Sequence, residues 1–209
     1  MLDHCVANLV ARTNNQTKSL EDIAKSAGFG ETKTVQSRRA FTTDERNCIL
    51  NFVFIHYHLG DELMKAVISS IRGTSDIEVK FAPIILFTTD LSFEDYLNYI
   101  RLGFDDVITL PEKREMIRAR LANQVGHDIE YFETSDYFGP DRRRMEIEPP
   151  NGVQRSNIPH SHVKYVFRRN PANGTKLLQR IVNLPLNQEK AIRPGRGTSE
   201  NGSWPVRRA

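Results

Sequence analysis

No stretch of this sequence approaches the roughly 18 consecutive apolar residues of a membrane span, so insertion into a bilayer is not expected. Cysteine is scarce: Cys5 and Cys48 are the two present. They make no disulfide framework, and a reducing cytoplasm is the simple expectation. Met1-Leu2-Asp3-His4 has neither a basic stretch nor a long apolar one, so it does not read as a secretory leader. No internal repeat of fixed period recurs. Metal-ligand clusters are also lacking. His56-Tyr57-His58 and His160-Ser161-His162 are H-x-H pairs with no third or fourth ligand beside them, so no metal and no cofactor are expected.

What is present is unevenly placed. Residues 141–209 carry 14 Lys+Arg against 5 Asp+Glu, a net of +9, which leaves −6 for the first 140. The same segment, counted from Pro140, holds eight of the ten prolines and few apolar runs, the best being Leu177-Leu178 and Ile181-Val182. An acidic folded domain followed by a basic, proline-rich tail is the partition this implies.

Within the first part, apolar strands alternate with amphipathic stretches. Residues 6–10, 34–36, 52–55, 84–87 and 107–110 read as five strands. Leu20, Ile23, Ala24 and Ala27 mark a helix after the first strand, which Gly28 ends. Helices are expected over 42–50 (capped by Thr42 or Thr43), 63–72, 92–102 and 112–125. Continuous apolar strands between helices predict a parallel sheet covered on both faces.

Phe81 to Leu121 narrows this further: strand, Thr88-Thr89, helix, Gly103, short strand, Leu110-Pro111, helix. That order resembles the second half of a response-regulator receiver, the chemotaxis-regulator-like domain of phosphorelay (two-component) signalling in bacteria. The resemblance covers about residues 5–125. It implies a flavodoxin-like, doubly wound five-stranded sheet of order 2-1-3-4-5, for which the chemotaxis receiver is a standard illustration. By spacing, the family's acidic pair falls on Ala11 and Arg12, its phosphoacceptor on His56, its Ser/Thr on Thr88, its Lys-Pro on Leu110-Pro111 and its aromatic switch on Val107. A cis bond before Pro111 is also implied.

The substitutions set the expected chemistry. An aspartyl phosphate needs a carboxylate nucleophile, acidic oxygens for Mg²⁺ and cations for the transferred oxygens. Ala11, Arg12, His56 and Leu110 supply none of these together; Thr88 alone matches. A degenerate, non-enzymatic receiver is expected. Arg12 either places a fixed positive charge where Mg²⁺ would sit or faces solvent. Phosphohistidine at His56 is not expected.

A second motif follows. Asp136-Tyr137-Phe138-Gly139-Pro140-Asp141-Arg142-Arg143-Arg144 resembles the YFGPDRRR extension of small stand-alone receivers. Gly139-Pro140 is turn chemistry, and arginine forks match phosphates and carboxylates. Tyr165-Val166-Phe167-Arg168-Arg169 is a looser aromatic–arginine cluster, the mixture that nucleotide and single-strand binders use. The expected division is a receiver-like domain at 1–126, a docking extension at 127–145, and a mobile tail at 146–209. Tyr137, Phe138, Arg142, Arg143, Arg144, Arg168 and Arg169 are the candidate anion-binding set. The arginines otherwise form a solvated face.

Three functions are compatible with this reading. The leading one is a phosphorylation-independent module that binds a signalling protein through its fourth helix, fifth strand and fifth helix. Tyr96, Tyr99, Ile100, Val107 and Arg114 are its candidate contacts. The alternatives are an effector whose tail takes a phosphorylated ligand such as a cyclic dinucleotide, or a nucleic-acid binder. The tail lacks the two successive amphipathic helices of a helix-turn-helix output domain.

Overall fold

A computed structural model describes residues 1–35, 50–141 and 161–183. Strand and helix alternate in the order β1 (Cys5–Val10), α1 (Asn14–Ala27), β2 (Glu31–Thr34), β3 (Leu50–His56), α2 (Asp61–Arg72), the one-turn α3 (Ile77–Lys80), β4 (Ile84–Thr88), α4 (Phe93–Leu102), β5 (Asp106–Thr109) and α5 (Arg114–Ala122). The five strands form one parallel sheet of order β2-β1-β3-β4-β5. This is the expected flavodoxin-like arrangement. β2 lies earlier than 34–36, and α3 was not foreseen. The helix expected at 42–50 lies outside the described residues except for Leu50, which instead opens β3 and is buried.

Local chemistry fixes the element ends. Thr13 and Gln16 form a capping box at the start of α1, and Gly28 closes it at φ 91°. The alternation of side chains along β3 serves two cores. Phe52 and Phe54 face α1 and α5, with Leu20, Ala24, Ile117 and Leu121. Val53 and Ile55 face α2 and α4, with Met64, Ile68 and Ile100. Both faces of the sheet are therefore covered, and β3 and β4 are buried almost throughout.

The expected partition after residue 126 is corrected by a second sheet. β6 (Asp128–Glu133), β7 (Phe138–Pro140), β8 (His162–Asn170) and β9 (Gly174–Asn183) form an antiparallel sheet of order β7-β6-β8-β9. Residues 162–183, assigned to an irregular tail, are two of its strands. They carry no long apolar run because a one-faced strand needs apolar residues only at alternate positions. Tyr165 and Phe167 point inward, and Val166 and Arg168 lie on the other face. The inward face closes over Phe81, which is buried just ahead of β4. Its ring lies 4.4 Å from Phe167, 5.6 Å from Tyr165 and 5.8 Å from Tyr131. The second sheet thus sits at the amino end of the parallel sheet, and the opposite, carboxyl end is left to the loops.

Candidate functional site

Parallel register brings the carboxyl ends of β1, β3, β4 and β5 to one edge. Val10 pairs with Ile55, His56 with Phe87, and Thr88 with Thr109. Crevices at this edge are where open doubly wound sheets bind their ligands. Ala11, Arg12, His56, Thr88, Leu110 and Pro111 all lie at it, and the Leu110–Pro111 bond is cis.

Each group there has a definite partner. Ala11 and Leu110 are half-buried and extend the core under α1 and α5. The Leu110 N–H donates to the Thr88 carbonyl at 2.6 Å, and Thr88 Oγ1 donates to the Asp90 carbonyl at 3.3 Å. Thr88 itself is 2% exposed. Arg12 bends across the edge, and its Nε donates to the Leu59 carbonyl at 3.0 Å. His56 ends β3 and caps the 3-10 turn Tyr57–Leu59: its Nδ1 accepts the His58 backbone N–H at 3.3 Å. The rings of His56, Tyr57 and His58 pack together at 4.0–5.2 Å between centroids. Thr89 Oγ1 donates to the Tyr57 hydroxyl at 2.9 Å. Burial, and then the nearby His58, hold the His56 pKa below the ordinary histidine value.

This is not a cation cage. The six residues include no carboxylate, and the described residues contain no group of three His, Cys, Asp or Glu able to hold a metal ion. Hard cations require such oxygens. An aspartyl-phosphate step has neither nucleophile nor neutralising amine at these positions.

The expected partner face divides. Arg114 is exposed, and Tyr96 and Tyr99 are half-buried. Ile100 and Val107, at 3% and 2% exposure, belong to the core under α2 and α4 and are corrected from contact residues to packing residues. Beside Tyr96, Arg120 forms a bidentate pair with Asp106 at the start of β5. Burial and then Asp106 push the Tyr96 phenol up.

The anion-binding set is also revised. Arg142, Arg143 and Arg144 lie outside the described residues. Phe138 packs on Phe81 and Tyr131, both at 5.6 Å, and Tyr137 donates to the Pro140 carbonyl at 2.7 Å. Arg168 is paired with Asp128 at 2.8 Å. Arg169 is fully buried. Its guanidinium donates to Asp105 Oδ1 at 2.8 Å, to the Tyr131 hydroxyl at 2.6 Å and to the Phe81 carbonyl at 2.8 Å. Arg169 is therefore enclosed, whereas Arg168 stands half exposed beside Asp128.

Asp105 was not singled out in the sequence, nor was Arg72. Arg72 holds Asp105 Oδ2 at 2.8 Å, and the Ile84 N–H donates to the same oxygen at 2.8 Å. Tyr131 donates to Oδ1. Burial opposes the charge on Asp105, but Arg169 and then Arg72 outweigh it and hold the carboxyl below the usual range. The signal in the sequence was Tyr165, Phe167 and Arg169 at a spacing of two, which places one arginine on the apolar face of a strand.

No family model matches the chain, and no curated protein matches it. Solved structures do. The signal receiver domain of a signal-transduction histidine kinase from Syntrophus aciditrophicus is 19% identical, with a TM-score of 0.41, over 57% of this chain and 88% of that one. The receiver domain of a sensor histidine kinase from Pseudomonas aeruginosa is 18% identical, TM-score 0.44, over 57% and 95%. A chemotaxis response regulator of Vibrio cholerae is 16% identical, TM-score 0.43, over 58% and 98%. These are likenesses of fold and bear on no residue's chemistry.

Proposed function

We propose that this chain is a signalling module of the receiver class that binds a protein partner without being phosphorylated. One observation carries the reading: positions 11, 12, 56 and 110, gathered at the carboxyl edge of the sheet, hold Ala, Arg, His and Leu. Arg12 is held there by its hydrogen bond to the Leu59 carbonyl, and Leu110 is half-buried against the core. The surface offered to a partner is α4 with the start of α5, through Tyr96, Tyr99 and Arg114.

The test is partner capture on the immobilised full chain, with and without acetyl phosphate and Mg²⁺. The same proteins should be retained in both states, and Arg114→Glu with Tyr99→Ala should release them. Retention that appears only with the phosphodonor would overturn the reading. Among the described residues, Arg169 is buried in its pair with Asp105 and so supports neither the cyclic-dinucleotide nor the nucleic-acid alternative.

A further inference from the structure

The carboxyl edge contains a hydrogen bond that only one protonation state of a side chain can make. The His58 backbone N–H points at His56 Nδ1, 3.3 Å away, and this bond caps the 3-10 turn Tyr57–Leu59. A ring nitrogen accepts only when it carries no proton, so the bond requires neutral His56 with its hydrogen on Nε2. The turn in turn holds two neighbours. Its Leu59 carbonyl receives Arg12 Nε from the β1–α1 loop, and its Tyr57 hydroxyl receives Thr89 from the end of β4.

We propose that His56 is a proton-operated latch on the loop between β3 and α2. The neutral ring holds the turn closed. A proton taken up at Nδ1 turns that acceptor into a donor facing the His58 N–H, and the turn is released. The ligand of this site is the proton itself. Release reaches β1 through Arg12 and β4 through Thr89, so two strands of the sheet report the state of one side chain. The imidazole of His58, 5.2 Å from that of His56, adds like-charge repulsion once both rings are charged. Other charged groups at this edge are Arg12, Asp61 and Glu62 opening α2, Asp90 after β4, and Glu112 and Lys113 after β5. Of all these, His58 is the one whose charge shifts His56, in the same direction as burial. The latch therefore opens below the ordinary histidine value of 6.5. It stands on the His56–His58 geometry, so it can fail while the proposed function holds, and the reverse.

The experiment is a pH titration of the full chain by nitrogen-15 NMR, following imidazole nitrogens, backbone amides and the Arg12 Nε–H. At neutral pH, His56 should be the Nε2–H tautomer. Its ring, the His58 amide and the Arg12 Nε–H should share one midpoint below 6.5. His56→Asn supplies a side-chain acceptor that does not titrate, and should keep the His58 and Arg12 signals at their neutral-pH positions throughout. His56→Ala should show the released positions at every pH. His58→Ala keeps the backbone donor and should move the midpoint up. The latch is overturned by an Nδ1–H tautomer at neutral pH, or by a His58 amide that does not follow the ring. It is equally overturned by a titration that persists unchanged in His56→Asn. If His56→Ala does not fold, the tautomer and His56→Asn still decide.

Discussion

Asp105 and Arg169 stand 64 positions apart in sequence and meet at 2.8 Å, with their side chains 2% and 0% exposed. The first precedes β5 of the parallel sheet and the second lies on β8 of the antiparallel one. This pair joins the two sheets, and Arg72 of α2 completes it from the other side of the carboxylate. Removing one partner of a buried ion pair costs about 3–5 kcal/mol, because the remaining charge is left uncompensated. Arg169→Met leaves Asp105 still paired with Arg72 and should destabilise the chain by less than that. Asp105→Asn should be worse, since it leaves two guanidinium groups facing each other. Urea unfolding of both variants checks the order; a milder loss for Asp105→Asn would contradict it.

The same carboxylate gives acid sensitivity a definite sign. Its folded pKa is depressed relative to the unfolded value of 3.8. Its contribution is fully present above that value and is lost as pH falls through the lower, folded one. Stability of the native chain should fall steeply only below pH 3.8 on account of this group. In Asp105→Asn that component of the acid transition should be missing. Unfolding free energy measured across the acid range by urea titration checks it.

The first sheet was legible because its strands are apolar on both faces and its helices carry regular stripes; its strand order followed from the resemblance to receivers. The carboxyl-edge residues were placed by the motif spacing of that resemblance: Ala11, Arg12, His56, Thr88 and Leu110 fall where its strands end. The second sheet was hidden. The inward face of β8 is apolar only at Val163, Tyr165 and Phe167 before Arg169 follows, and β6 and β8 are separated by residues 134–161, which look like linker. Arg169 read as a ligand-binding cation because sequence alone does not show that Asp105 waits for it. Ile100 and Val107 read as contact residues because they lie on α4 and β5, the elements expected to dock a partner, and sequence alone does not show that both side chains turn into the core under α2 and α4.

Gly139 explains the middle of the Phe-Gly-Pro motif. A Cβ there would lie 2.7 Å from the Tyr137 hydroxyl and 3.1 Å from the Gly103 Cα. Gly103 ends α4 at φ 106° and in turn sits under the Phe138 carbonyl. Two glycines thus allow β7 to lie against the end of α4. Gly139→Ala should lower stability by about 1–3 kcal/mol, as overpacking does. An unchanged urea midpoint would show that the contact gives way freely.

Phe81 ties the second sheet to the first. Its ring is 2% exposed and is covered by Phe167, Tyr165, Tyr131 and Phe138. A chain ending at Gly126 loses that cover and leaves Asp105 with Arg72 alone. It should bind hydrophobic dyes and unfold at lower urea than the full chain. Phe81→Ser in the shortened chain should reduce dye binding. A shortened chain as stable as the whole would show that the second sheet is an appendage.

The most direct measurement is the intact mass of the full chain after incubation with acetyl phosphate and Mg²⁺. With Ala11, Arg12, His56 and Leu110 at the carboxyl edge, no phosphoryl adduct should form, and the spectra with and without the donor should coincide. An adduct that disappears in His56→Ala would contradict the account, because it would mean that this edge still performs phosphoryl transfer.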